Sequence, residues 1–278
     1  MGAHMNKIIL ATVLAGLSST GALAADLGPR TYSKAPAMMT TVSNWTGFYI
    51  GGTVGAAWST DKIRLDAEAT PYFNSVGGGN DAPAFGALGS PNIKRTNVIF
   101  GGKAGYNWQA SNWVLGLEGD LSSLRFRPSV TITGNPHAGF ANGTSTFNDS
   151  ASSDWLATAR ARIGYAYDRT LLFGTAGVAF GHSTFQSSVV DLAPNTTGLG
   201  RASVSASSTN VGWAAGAGVD YALTNNWILT VEYLHADLGK MNVQGLIRDG
   251  SPNAKTSALA YSAKLENDLV RAGISYKF

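Results

Sequence analysis

The chain has 278 residues, no cysteine and a formal net charge of +3. Charged residues make up only 13%, against about 25% in an average soluble domain, and a weak basic balance with no basic run argues against a nucleic-acid partner. The missing cysteine excludes a disulfide scaffold and a cysteine metal site, while 34 glycines and frequent aromatics suit a β-protein with apolar surroundings on one face.

Residues 1–4 of "MGAHM" read as a tag remnant ahead of a native start at Met5. Lys7, the apolar run "IILATVLAGL" and Ala22-Leu23-Ala24 then form a charged region, an apolar region and an A-x-A cleavage signal. A signal peptide over 5–24 is predicted, with cleavage after Ala24. The following "ADLGPRTYSKAPAMMTTVSN" carries no stop-transfer pattern, so residues 25–43 read as a flexible periplasmic leader. The remaining residues 44–278 read as one domain.

From Gly47 onward, apolar residues recur at every second position, the period of a strand. "GFYIGGTVGAAWS" groups Phe48, Ile50, Val54, Ala56 and Trp58, and "TNVIFGGKAGYNW" groups Val98, Phe100, Ala104, Tyr106 and Trp108. "WVLGLEGDLSSL" groups Trp113, Leu115, Leu117 and Leu121; "DWLATARARIGYAY" groups Trp155, Ala157, Ala159, Ala161, Ile163, Tyr165 and Tyr167. "LLFGTAGVAFGH" is a fifth segment whose facing the pattern leaves open. "NVGWAAGAGVDYAL", "WILTVEYLHADL" and the terminal "DLVRAGISYKF" complete eight.

Three connections are short, at 109–112, 168–170 and 224–226. Four, near 60–93, 126–153, 184–208 and 239–266, read as long and rich in Gly, Ser, Asn and Thr. Short and long alternate strictly, which predicts an all-β, eight-stranded antiparallel transmembrane barrel with short periplasmic turns and long extracellular loops. Closure lets the last strand pair with the first, so no edge remains. Trp108, Trp113, Tyr167, Trp227, Tyr276 and Phe278 all fall beside the short turns, where an interfacial aromatic girdle belongs.

Lys103, Glu118, Asp120, Arg160, Arg162, Asp220, Glu232 and Arg271 fall out of phase with the apolar positions, hence inside the barrel. They comprise four acids and four bases. One reading is an ion pathway or gate. The preferred one is a paired polar core filling a lumen too narrow for a channel, because an unpaired buried charge is costly. Lys94, Arg95, Arg125, Arg127, Lys240 and Lys264 flank the outer strand ends and are candidates to meet lipopolysaccharide phosphates. Ordinary loop solubility explains them equally well.

Catalysis finds little support. His182 and Ser183 are adjacent and so point to opposite faces, and His235 with Asp237 at a rim has no visible partner pair. The spacing of His137, His182 and His235 matches no metal motif, and no cofactor is called for.

The stretches "NWTGFYIGG", "GYNWQ", "GLEGDL", "DWLATARARIGYAYDR", "GAGVDYALTNNW", "VEYLHADLG" and "VRAGISYKF" resemble the small outer-membrane barrels of alphaproteobacteria, the group of the brucella 25- and 31-kilodalton outer-membrane proteins often labelled porin family. They cover most strands and short turns and little of the long connections. The resemblance implies a signal peptide, an eight-stranded barrel, an outer-membrane address and surface exposure, without one shared activity: relatives bind haem, touch host surfaces or are structural. Arg271, Gly273, Tyr276 and Phe278 also match the terminal signal read by bacterial barrel-assembly machinery. Three functions stay open: a closed structural barrel meeting the outside through its loops, a small-solute porin, and a binder of haem or a host component. Large loops on a rigid scaffold favour the first and third, and open porins use about 16–18 strands.

Overall fold

The structure, a computed structural model, describes residues 43–69, 71–73, 80–137, 142–192 and 199–278. The tag remnant, the signal peptide and all but the last residue of the 25–43 leader lie outside the described residues.

The elements follow in the order β1 (Gly47–Ala67), α1 (Ala82–Leu88), β2 (Asn92–Ala110), β3 (Trp113–Phe126), β4 (Ser129–Gly134), β5 (Thr144–Tyr167), β6 (Thr170–Leu192), β7 (Gly200–Ala222), β8 (Trp227–Arg248) and β9 (Thr256–Lys277). All strands pair antiparallel. The sheet runs β3-β2-β1-β9-β8-β7-β6-β5-β4, and β3 also pairs with β5, which closes the ring. β3 and β4 are two halves of one stave, since both lie on β5. The break falls where Arg125 takes a positive φ of 48° and Pro128 removes a ladder donor. The ring therefore has eight staves. Gly51 through Trp58 of β1 pair with Ser275 through Asp268 of β9, and the amide of Phe278 donates to the carbonyl of Phe48 at 2.9 Å. The final residue is held by the first strand.

Tight turns at 111–112, 168–169 and 223–226 lie at one end, the turn end. Ser111 and Asp168 make two of them with φ of 55° and 53°, a region where Asp is tolerated better than most side chains. Near this end the outward face of every stave is apolar. Runs such as 48–58, 98–108 and 211–221 have the length of a membrane-crossing strand, about 9–11 residues. The fifth segment resolves with Leu172, Val178 and Phe180 outward.

Three of the four segments read as long connections are mostly strand and the first, 60–93, is partly so, a correction to the sequence reading. β5 has 24 residues and β6 and β7 have 23 each, and the actual links shrink to 68–91, 135–143, 193–199 and 249–255. The physical reason is a change of phase. On β9, Val270, Ile274, Tyr276 and Phe278 point outward, while farther along Leu259, Tyr261, Leu265 and Leu269 point inward and Lys264, Glu266 and Asp268 point outward. The staves run on beyond the apolar band into water, so the apolar side changes from outside to inside. Two local devices accompany this. β5 carries a bulge between Ser153 and Trp155, and β8 shifts register between Asp237 and Lys240, where Gly239 adopts a φ of 77°.

The interior is therefore layered. At the turn end Trp45, Val114, Ala166, Leu171, Phe173, Ala222 and Ile228 form a small apolar cluster. A polar layer lies above it. The far half, the mouth, is filled by a large apolar core that includes Leu65, Phe73, Phe85, Phe147, Leu156, Phe185, Leu234, Tyr261 and Leu269. Phe85 of α1 sits between Phe73 and Phe147 with ring centroids 4.7 and 4.8 Å away. The backbone amide of Tyr72, on the same β1–β2 connection, donates to the Ser257 hydroxyl at the start of β9 at 3.1 Å. These contacts hold α1 and the Tyr72–Phe73 segment at the mouth.

Candidate functional site

The polar layer is built from alternate residues of seven strands whose outward neighbours are apolar. All eight of the inward charges are buried: Lys103, Glu118, Asp120, Arg160, Arg162, Asp220, Glu232 and Arg271. They form one connected network. Arg160 donates to Glu118 at 2.7 Å and to Asp120 at 2.9 Å, and also pairs with Glu232. Arg271 donates to Asp120 at 2.6 Å and to Glu232 at 2.8 Å. Arg162 donates to Asp220 at 2.6 Å and to the Tyr49 hydroxyl at 3.0 Å. Tyr49 in turn donates to Glu118 at 2.8 Å. Lys103 approaches Glu118 at 3.4 Å and donates to Thr230 at 3.0 Å, and Thr230 donates to Asp220 at 2.7 Å. Four carboxylates meet four cations, so the layer is neutral as a whole.

Arginine is suited to this place. One guanidinium can serve several carboxylates through a fixed fork of donors, and Arg160 does so for three carboxylates, two on β3 and one on β8. Tyr49 and Thr230 are functional members that the sequence reading passed over. Tyr49 was legible as an inward position between Phe48 and Ile50, but a phenol gives no charge signal.

A second feature explains the glycines on the inward face. Six of the eight charges stand directly opposite a glycine on the neighbouring strand: Lys103 opposite Gly51, Glu118 opposite Gly105, Arg162 opposite Gly116, Arg160 opposite Gly177, Glu232 opposite Gly218 and Arg271 opposite Gly55. A Cβ on Gly177 would stand 2.6 Å from the Arg160 Cα, and one on Gly55 would stand 2.7 Å from the Arg271 Cα. At Gly55, Gly177 and Gly218 a Cβ would run into the backbone of the charge-bearing strand, and at Gly116 into the Arg162 side chain.

The other candidates are distributed differently. Of the proposed lipid-phosphate contacts, Lys94, Arg125, Arg127 and Lys240 are exposed on the outside beyond the apolar band, and Lys264 is already paired with Glu266. Arg95 is a correction: it points inward, is buried, pairs with Asp61 and lies 4.9 Å over the Phe126 ring. Its strand is paired at that height, and the two-residue period puts Lys94 outside and Arg95 inside.

His137 is buried near the mouth, whereas His182 and His235 are on the outer wall. His182 meets Thr209 and Ser207, and Ser183 points inward. His235 pairs with Asp268 at 2.8 Å rather than with Asp237. Trp58, Trp155, Trp213 and Tyr233 stand at the far edge of the apolar band, a second aromatic level that the sequence reading missed. The turn-end level contains Trp108, Trp113, Tyr167, Trp227, Tyr276 and Phe278, all exposed.

A closed ring of eight antiparallel staves, with an outward apolar band of bilayer length edged by aromatics and an interior filled by side chains, defines a transmembrane β-barrel. The family model for the outer membrane protein beta-barrel domain matches residues 10–278. The chain belongs to this family, and its place is the outer membrane. It is 34% identical over 276 residues to the 31 kDa outer-membrane immunogenic protein of Brucella melitensis biotype 1, covering 99% of this chain and 100% of the relative. It is 26% identical over 237 residues to the 22 kDa outer membrane protein of Rhizobium leguminosarum bv. viciae, covering 84% and 79% of the two chains. Among solved structures it is similar to the outer membrane protein OprG from Pseudomonas aeruginosa, with a TM-score of 0.46, 15% identity and coverage of 85% and 98%.

Proposed function

We propose that this protein is a non-catalytic surface barrel with a closed lumen, anchored by its membrane band and meeting the exterior through the parts that stand above it. The neutral eight-charge layer carries the reading. Every guanidinium in it is engaged by carboxylates, and apolar side chains pack on both sides, so a hydrated ion has no continuous polar path. In this orientation the three tight turns and both ends of the strand ring face the periplasm, and the mouth with its water-exposed strand extensions faces out.

Lys94, Arg125 and Arg127 stand just above the band on neighbouring staves, at the height of outer-leaflet phosphates, and with Lys240 are available to lipopolysaccharide phosphates. Arg271, Gly273, Tyr276 and Phe278 supply the terminal signal for barrel assembly. Arg271 then has two tasks, since it also closes the lumen.

Single-channel recording of the refolded protein in a planar bilayer tests the reading. The parent is expected to show no steady conductance. A stable, ion-selective open level would replace the closed barrel with a small-solute channel. Epitope tags at residues 80 and 250 are expected to be detected on intact cells and a tag at 169 to be hidden, and the reverse pattern would invert the orientation.

A further inference from the structure

The mouth contains a buried cluster that the closed lumen does not use. His137, between β4 and β5, lies between two carboxylates. Its Nδ1 is 3.1 Å from Asp81 at the N-terminal cap of α1, and its Nε2 is 2.9 Å from Asp191 on β6. The imidazole side chain is 1% exposed. Asp191 also accepts hydrogen bonds from the Tyr72 hydroxyl at 2.7 Å and from Ser145 on β5. The backbone amide of His137 donates to Asn135 at 3.0 Å. One side chain thus ties the helix-bearing β1–β2 connection and the β4–β5 connection to the wall of β5 and β6.

Both ring nitrogens can face carboxylates as donors only when the imidazole is charged. The neutral ring has one N–H, so it would leave a carboxylate against a nitrogen lone pair. We propose that Asp81–His137–Asp191 is a proton-operated latch, which holds the α1 connection across the mouth while His137 is protonated and releases it when the proton is lost.

The surrounding charges all act in one direction. Asp191 on β6 and Asp81 beside α1 face the ring directly, the Tyr72 hydroxyl and Ser145 reach it through Asp191, and Asp249 at the end of β8 adds negative charge near Tyr72. Burial alone would push the His137 value down. The hydrogen bond and charge of Asp191, then those of Asp81, outweigh it and hold the value above the ordinary histidine range. Because the folded value is raised, the latch contributes fully below the ordinary histidine value, and its contribution disappears as pH rises through the raised one. The cap is therefore fastened in acid and loosened in mild alkali. The inference goes beyond the closed lumen, because the eight-charge layer lies deeper and does not depend on the cap.

Hydrogen exchange on the full folded chain in phospholipid nanodiscs tests this, corrected for the intrinsic pH dependence of exchange and read on the peptide spanning 80–90. Carbon-13 labelled histidine reports the His137 titration, assigned by its loss in His137→Gln. Exchange over α1 is expected to rise about tenfold or more across the His137 midpoint, the range for losing a charged hydrogen bond. In His137→Gln it should be fast and independent of that midpoint. Asp191→Asn should move the histidine midpoint downward and carry the exchange transition with it. The heat-dependent mobility of the folded barrel checks that each variant retains its ring. The latch is refuted if α1 stays protected throughout the His137 titration, or if folded His137→Gln protects α1 as the parent does. Bilayer recording at the same pH values separates the two readings: conductance bears on the closed lumen, and exchange bears on the latch.

Discussion

Replacing Arg160 by methionine tests the charge layer most directly. Arg160 donates to Glu118 and Asp120 and pairs with Glu232. It is fully buried, so its loss leaves three carboxylates short of a partner and the layer one negative charge in excess. Breaking a buried pair from one side costs about 3–5 kcal/mol, and methionine refills most of the volume, so little of that cost is a cavity. A second change should recover part of the loss. With Glu118→Gln added, the layer is neutral again, and Arg271 keeps Asp120 and Glu232 while Arg162 keeps Asp220. Residues in one such network couple by about 0.5–3 kcal/mol, so the double variant should be more stable than the sum of the singles predicts. Urea unfolding in lipid vesicles, followed by tryptophan fluorescence, gives all four corners of the cycle. An Arg160→Met protein within about 0.5 kcal/mol of the parent, the range of ordinary surface changes, would refute the network as a structural element. So would purely additive singles.

Four further outcomes follow from the same geometry. Gly177→Ala should destabilise the barrel by about 1–3 kcal/mol, the range for overpacking, and the same change at the exposed Gly250 should be near neutral in the same unfolding assay. Trp45→Ala should loosen the turn-end cluster by about 3–5 kcal/mol, read as a lowered unfolding midpoint with the mouth-end exchange unchanged. Deleting Phe278 should reduce the fast-migrating folded form in the outer membrane, because its amide hydrogen bond to Phe48 and its ring contacts with Phe48 and Tyr276 are lost; unchanged amounts would leave it a girdle residue without an assembly role. Lys94, Arg125 and Arg127 changed together to Gln should lower the lipopolysaccharide retained through purification, whereas Arg95→Gln should instead lower stability, since its partner Asp61 is buried.

The Glu118 variant needs an exposed acid as its neutral reference. Asp81 looks like a loop acid in sequence, but its carboxylate lies against His137 and is buried, so it is unsuitable as a neutral reference for Glu118. Asp66, paired with Arg64 on the exposed surface, serves instead, because such surface pairs contribute little.

The sequence by itself determined the staves within the membrane. A bilayer demands an apolar outward face and the strand period is two, so the alternate apolar residues from Val270 to Phe278 or from Phe48 to Trp58 announce both strand and facing. The inward position of Glu118, Arg160 and Arg271 followed from the same parity. Beyond the band the local rule fails. There the outside is water and the inside is apolar, so Thr184, Gln186 and Ser188 point out while Phe185 and Val189 point in. A strand whose apolar side changes over mid-course reads as a strand followed by a polar loop, and that is why Arg95 was assigned to the surface. Which charges meet is a property of the closed ring: Arg271 and Asp120 are 151 positions apart, and only the stagger of eight paired staves brings them together. The same holds for His137, Asp81 and Asp191. They come from three separate segments with no common motif, and only the packing of α1 across the mouth places them within hydrogen-bond distance.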